Sequence, residues 1–229
     1  MTLDACPIPA SDLASRPCVL FDFDGTLADT KSGIVATAER VLRDWGLTDE
    51  EIGDAGRLVG PPFPAAFTEV YGMTAADAEE VTRRYRAVYE TLGPETHPLF
   101  DGIPELLRAL KASGRRIATA SAKRQVMVRE MLEDAGVADL FDAVVGQTDP
   151  TRSDKATLVG QALDALGCAA DDAVMVGDRF YDVEGARANG VPCVGVRYGA
   201  TSAPGELADA GAAVVVDTVD ELSRALLGE

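Results

Sequence analysis

Three carboxylates at the ends of two short apolar runs are the residues of this 229-residue chain best placed to do chemistry. Asp22-Phe23-Asp24-Gly25-Thr26 follows Cys18-Val19-Leu20-Phe21, and Gly177-Asp178 closes Ala173-Val174-Met175-Val176, with Asp182 one helical turn further on. Acids at i and i+2 can both turn toward one point if the backbone bends, and Gly25 permits that bend. A lone Asp-x-Asp-Gly is equally compatible with a solvated turn, but a second acidic strand end changes the balance. If the two runs are neighbouring strands, their carboxylates converge on a hard cation. Mg²⁺ favours one or two carboxylates together with waters and a phosphate oxygen. Ser121, after Ile117-Ala118-Thr119-Ala120 and before a helix start, offers a hydroxyl and backbone N–H groups to a phosphate. Lys155, at the start of a later helix, adds a fixed positive charge. The chemistry these types suit is the handling of a phosphoryl group.

Such groups must be positioned by strands. Ala143-Val144-Val145, Cys193-Val194-Gly195-Val196 and Ala213-Val214-Val215-Val216 repeat the short apolar pattern without polar alternation, as strands buried on both faces do. Helical patterns lie between the runs. One, over 123–133, presents Val126, Met131 and Leu132 and stops at Gly136; another, over 155–166, places Leu158, Val159, Ala162, Leu163 and Leu166 on one stripe behind Ser153-Asp154. The alternation from about residue 101 onward predicts an α/β fold, a Rossmann-like doubly wound parallel sheet, and ligands of such sheets bind beyond the carboxyl ends of the strands. Residues 30–96 break the alternation. Ile34, Ala38, Val41, Leu42 and Trp45 recur at helical spacing, as do Val81, Tyr85, Val88 and Tyr89, with Gly60-Pro61-Pro62 between. The expected organisation is an α/β core of 17–29 and 97–229, an inserted α-helical cap of 30–96 hinged at Asp29-Thr30 and His97-Pro98-Leu99-Phe100, and an N-terminal lead-in of 1–16.

Composition excludes other classes. Apolar residues make up 47%, enough for a sizeable core, and 38 acidic against 21 basic residues give a net charge of −17. That field disfavours nucleic-acid polymers and anionic membranes as partners. No apolar run approaches the roughly 20 residues of a membrane span, and the first residues lack a basic-then-apolar leader. Cys6, Cys18, Cys168 and Cys193 form no C-x-x-C pair; Cys18 and Cys193 read as small core residues, and a reducing, cytoplasmic setting is expected. A single histidine, His97, makes a zinc site hard to assemble.

The ordered set Asp22–Thr26, Ser121, Lys155 and Gly177-Asp178-Arg179-Phe180-Tyr181-Asp182 resembles the four motifs of the haloacid dehalogenase-like hydrolase superfamily, from about residue 17 onward and including the helical insert. Gly60-Pro61-Pro62-Phe63 and Thr151-Arg152-Ser153-Asp154-Lys155 look like its phosphoglycolate phosphatase-like and 5′-nucleotidase-like branch. The resemblance implies a phosphatase in which Asp22 is the nucleophile and Asp24 the general acid and base. Mg²⁺ would sit on Asp22, the Asp24 main-chain carbonyl and Asp178. Gly25, Thr26, Ser121, Ala122 and Lys155 would bind phosphate, with Asp182 supporting Lys155 or a metal-bound water and Thr26 positioning Asp24. It also implies a small phosphorylated metabolite as partner; monomer and homodimer are both left open.

Within the superfamily, Asp24 and Asp178 speak against a dehalogenase, and an ion pump would need Thr in place of Asp24 and a membrane domain. A phosphosugar mutase keeps the same acids and stays open as an alternative. A non-catalytic binding protein would be expected to have lost a motif, and none is lost. Substrate choice falls to the cap, where Arg57, Phe63, Arg86 and Tyr89 are candidates; each arginine is equally at home on a solvated helix face. Lys123 is read as either lining the entrance or lying at the surface, and His97 and Trp45 as structural.

Overall fold

The computed structural model describes residues 10–59, 61, 63–149 and 154–228. Its centre is a five-stranded parallel sheet in the order β2-β1-β5-β6-β7, formed by β1 (Cys18–Phe21), β2 (Arg116–Thr119), β5 (Ala173–Gly177), β6 (Cys193–Val196) and β7 (Val214–Val216). The central strands β1, β5 and β6 are buried along their whole length, which is why their sequences show apolar runs without alternation. Helices α6 (Ile103–Ala112) and α11 (Val219–Leu227) pack with one apolar cluster, while α8 (Lys155–Leu166), α9 (Phe180–Ala188) and the short α10 (Glu206–Asp209) pack with another on the opposite face of β1. Asp154 caps α8 by accepting the Thr157 N–H at 2.9 Å, and Gly136 takes φ +66° just past α7 (Gln125–Asp134); both were expected.

Residues 143–145 do not form a sixth ladder strand. They run beside β2 through an isolated bridge, Ala118 to Ala143, and the chain then pairs β3 (Ser121–Arg124) with β4 (Gly146–Gln147) in a separate two-stranded sheet. Because α7 begins only after β3, its buried face is Met127, Val128, Met131 and Leu132, and Val126 is 48% exposed instead of buried.

Between β1 and α6 lie α2 (Lys31–Trp45), α3 (Asp49–Ile52), α4 (Ala65–Tyr71) and α5 (Ala75–Tyr89). Ile34, Ala38, Val41 and Leu42 of α2 and Val81, Tyr85 and Tyr89 of α5 are buried as the helical spacing predicts. Trp45 is only partly buried, with the Arg84 guanidinium 4.9 Å from its ring centroid. The two connections to the sheet run side by side, with Asp29 N–H donating to Pro98 O at 2.8 Å and Phe100 N–H to Leu27 O at 3.0 Å. His97 is buried beside them.

Two further findings depart from the expectations. Cys18 is fully buried, but it is disulfide-bonded to Cys168 across 150 residues, a pairing that no sequence spacing announced and that departs from reduced thiols. Within the N-terminal lead-in, residues 10–14 form α1 (Ala10–Ala14), whose Leu13 is fully buried in the sheet's core cluster. A buried Arg115 donates to the Ala14 carbonyl of α1 and the Leu226 carbonyl of α11, tying both helix ends down. Five residues are too few to show helical periodicity, so the docking was invisible in the sequence. Leu13→Ala is therefore expected to lower unfolding free energy by about 2–5 kcal/mol, as for a filled core position. Urea titration checks this, and a change below about 0.5 kcal/mol, the range of ordinary surface substitutions, would show that α1 is not part of the core.

Candidate active site

Four strand-end segments meet where the central strands stop. β1 leads directly into Asp22, whose N–H donates to Val176 O at 2.9 Å, so the ends of β1 and β5 are locked in register. β5 delivers Asp178, α9 turns Asp182 back beneath it, and α8 begins at Lys155. The Lys155 Nζ lies 2.9 Å from Asp22 Oδ1 and 2.7 Å from Asp182 Oδ1, and donates to Ala120 O at 2.9 Å. Asp182 Oδ2 also accepts the Arg179 N–H at 3.0 Å, which holds the turn between β5 and α9. Gly177 is required here, because any Cβ would collide with the Asp182 side chain. Gly25, at φ +76°, takes a left-handed turn and lies so close to the Asp178 carboxylate that a side chain would displace it.

The electrostatics are those of excess buried negative charge. Oxygens of Asp22, Asp178 and Asp182 lie within 4.8 Å of one another, all three residues are buried, and one lysine faces them. Burial, with the neighbouring charges of Asp182 and Asp24, pushes the Asp22 carboxyl up to about 6 despite the attraction of Lys155. Burial and the repulsion of Asp182 and Asp22 push Asp178 well above the usual carboxylate range. For Lys155, burial alone would lower the pKa; the charges and hydrogen bonds of Asp182 and Asp22 outweigh it and keep the ammonium protonated. An all-oxygen cluster short of positive charge is what a hard cation completes. The residues present thus fit a metal ion.

Above this floor opens a cavity of about 700 Å³, its mouth included, lined by Asp22, Asp24, Ser121 and Ala122 below and by Phe63, Arg86 and Tyr89 above. These are the expected site residues that the structure brings together. Thr26 is placed differently. Fully buried, its hydroxyl donates to Asp178 Oδ1 at 3.1 Å, so it positions Asp178 and not Asp24, and neither it nor Gly25 lines the cavity. Arg57 also stands apart: the 3₁₀ turn 55–58 sends Leu58 inward and leaves Arg57 exposed, its guanidinium 5.9 Å from the Tyr71 ring centroid. Of the segment expected to mark the branch, residues 151–153, like Gly60 and Pro62, lie outside the described residues.

Two functional positions were missed or left open. Lys123, read as entrance or surface, has a side chain only 8% exposed and holds both Asp24 oxygens, at 2.8 and 3.1 Å, with Nζ 4.9 Å from the Tyr89 ring centroid. The available signal was its spacing. In an extended β3, Ser121 and Lys123 are two apart and share a face, whereas a helix starting directly after Ser121 hides the relation. Arg179 donates to Val59 O at 2.5 Å and pairs with Glu206 at 2.8 Å, linking the Asp178 loop to the helical segment.

The chain matches the haloacid dehalogenase-like hydrolase family over residues 19–196 and belongs to it. It is 38% identical over 190 residues to a 5′-nucleotidase of Pseudomonas aeruginosa, covering 82% of this chain and 86% of that one. It is 37% identical to the tyrosine-protein kinase PtkA of Mycobacterium tuberculosis, covering 93% and 73%, and 33% identical to a phosphoglycolate phosphatase of Rhodospirillum rubrum, covering 87% and 86%. Among solved structures, a predicted phosphatase from Clostridium acetobutylicum superposes with a TM-score of 0.88 at 36% identity, over 93% of this chain and 99% of that one. The protein is a phosphatase of this family, and no helix among the described residues is long and apolar enough to cross a membrane.

The buried charge excess makes a prediction for metal-free protein. At pH 8 the wild-type Asp22 is ionised inside a negative cluster, a cost absent from the unfolded chain with its ordinary pKa of 3.8. Asp22→Asn removes that cost. It should raise metal-free stability at pH 8 by on the order of 3 kcal/mol, and the gap should close as pH falls through about 6 toward the ordinary carboxyl range. Thermal melts with chelator from about pH 8 down to about pH 4, a range that takes in the interval from about 6 to 3.8, check it. A destabilised variant at pH 8 would contradict the charge-excess account.

Proposed function

We propose that the protein is a Mg²⁺-dependent hydrolase of a small phosphate monoester, of the phosphoglycolate or nucleoside 5′-monophosphate type. The observation that carries this reading is the convergence of Asp22, Asp178 and Asp182 on Lys155 at the strand ends, directly beneath a cavity holding Asp24 and Ser121. Asp22 attacks phosphorus in line; its bond to phosphorus forms as the bond to the leaving oxygen breaks, giving an aspartyl-phosphate. Asp24 gives a proton to the departing alkoxide and takes one from the water that cleaves the intermediate. Lys155, the Ser121 hydroxyl and the Ala122 N–H receive the phosphoryl oxygens, where negative charge spreads in the transition state. Asp182 acts through Lys155 by fixing its ammonium at 2.7 Å.

The metal would be held by Asp22, the Asp24 carbonyl and Asp178, with Thr26 and Thr201 hydroxyls steadying the Asp178 carboxylate. When bound it offsets the repulsion between nucleophile and phosphate. Residues 30–96 act as a cap that closes over the bound ester and keeps bulk water out. The adjacent connections at Asp29 and Pro98 suit a hinge, and Lys31 donating to Ala200 O at 2.8 Å and the Arg124–Glu90 pair hold the closed arrangement. The names of the 5′-nucleotidase and phosphoglycolate phosphatase relatives support both the reaction and the metabolite class.

Asp22→Asn should lower kcat for p-nitrophenyl phosphate by at least about 10³-fold, the order expected when a covalent nucleophile is lost, while circular dichroism stays unchanged. EDTA should abolish turnover and Mg²⁺ restore it, and Mg²⁺ should also raise the melting temperature. Inorganic phosphate should appear in step with the alcohol. Transfer to a second hydroxyl without phosphate release would replace hydrolysis by a mutase or kinase reaction.

A further inference from the structure

Among the described residues, three cationic side chains line the cavity above Asp22 and Asp24, in a chain of net charge −17: Lys123 and Arg124 from β3, and Arg86 from α5. Two have partners already. Lys123 grips the Asp24 carboxylate and Arg124 pairs with Glu90. Arg86, half-buried, has neither ion pair nor hydrogen bond among the described residues, and the charges acting on it are Arg124, which repels, and Glu90, which Arg124 already holds. One turn on, and therefore on the same helix face, Tyr89 is 3% exposed, and its hydroxyl, which the Lys123 ammonium approaches as a donor, has no acceptor for its own hydrogen. A buried hydroxyl with its hydrogen uncommitted and, one helical turn away, an unpaired guanidinium, both on the wall of the cavity, have the makings of an anion receptor.

The aromatic residues do not offer an alternative. Tyr85 and Tyr89 stack on each other with centroids 5.3 Å apart and planes 17° from parallel, and Lys123 sits over the Tyr89 ring. Phe63 packs at 4.7 Å on Phe67 and meets Tyr85 edge-on at 4.9 Å. The rings are engaged with one another and with Lys123, which disfavours stacking of a planar base between them.

We propose, resting on the phosphatase reading, that Arg86 and the Tyr89 hydroxyl bind a second anionic group on the leaving alcohol. The substrates are then phosphate monoesters of acidic alcohols and not nucleoside 5′-monophosphates. The reacting phosphate is received at the floor by Lys155 and Ser121, and the second anion at the roof by Arg86. The aliphatic and ring carbons of Ile34, Leu58, Phe63 and Met127 form the wall of the same cavity.

The test uses substrate pairs matched in size: phosphoglycolate against ethyl phosphate, and 3-phosphoglycerate against glycerol 1-phosphate, with AMP as the nucleoside probe. Wild-type kcat/KM should favour the acidic member of at least one pair by about 10- to 100-fold, the range of a charge-assisted hydrogen bond, and should favour it over AMP. In Arg86→Gln that ratio should fall toward unity through a rise in KM for the acidic ester, and Arg86→Lys, which keeps the charge but loses the planar fork, should restore part of it. Wild-type turnover of a neutral ester or AMP at or above both acidic esters overturns the proposal, as does an Arg86→Gln variant that retains the ratio. The wild-type comparison decides alone if the variant does not fold. Turnover of p-nitrophenyl phosphate without the acidic preference removes this inference only, whereas no phosphate release from any monoester removes the phosphatase reading and the inference with it.

Discussion

The structure depends on one buried ammonium. Lys155 is a single positive charge facing the buried cluster of Asp22, Asp178 and Asp182, and it makes direct ion pairs with the first and last. Buried carboxylates stay ionised in a fold only when paired or metal-bound, so the geometry around Lys155 constrains everything nearby. Its position at the first residue of α8 is set by the Asp154 cap. The close approach of α9 leaves no room for a side chain at Gly185, where a Cβ would lie 2.6 Å from the Lys155 side chain. Gly177 likewise admits Asp182 beneath β5. Three segments distant in sequence thus carry residues whose identities follow from one pair of contacts. The deficit of positive charge that remains is the physical reason the site calls for a cation.

A second ion pair connects that floor to the helical segment above. Lys123 holds Asp24 from one side and lies over the Tyr89 ring on the other. In Lys123, as in Lys155, burial by itself would lower the pKa; the Asp24 carboxylate, and Tyr89 with it, more than offsets this. Arg179 performs a parallel service on the Asp178 side by reaching the Val59 carbonyl. Each acidic strand end is therefore tied through one cation to the segment that covers the cavity. Movement of that segment cannot leave the orientation of Asp24 or of the Asp178 loop unaffected, which joins access to the site with its chemistry.

Much of this was legible in the residue order, and the reasons are specific. Strands β1, β5 and β6 could be read because a strand buried on both faces must be apolar throughout. The acids at their ends stood out because a charge terminating an apolar run needs a purpose. The failures share another cause: they turn on where an element begins or on contacts between distant residues. Assigning the helix start directly after Ser121, without β3, shifted the phase of α7, exposing Val126 and hiding the shared face of Ser121 and Lys123. Thr26 sits beside Asp24 in sequence, yet its hydroxyl serves Asp178, 152 residues away. Arg57 looked available for the cavity until the 3₁₀ turn pointed Leu58 there in its place. Cys18 was legible as buried but not as bonded, because burial is a local property and pairing with Cys168 is not.

The net charge of −17 takes on a different meaning once these contacts are known. Charge summed over the whole chain acts at long range and is screened within about 8–10 Å at physiological ionic strength, so it governs encounters with polyanions more than events inside a cavity. Inside, the balance is local. Asp22, Asp178 and Asp182 make the floor negative, Lys123 and Arg124 are paired with Asp24 and Glu90, and, among the described residues, Arg86 alone of the cavity-lining cations has no ion pair. Among the described residues, the unpaired positive charge on the cavity wall therefore belongs to the roof and not to the floor. A ligand with one anionic end has to give up that charge to reach Asp22, whereas one with two can keep it while the other end reacts. If Arg86 receives a second anion as proposed, the same chain whose overall charge disfavours polyanions at a distance would favour, at contact range, small molecules carrying negative charge at both ends.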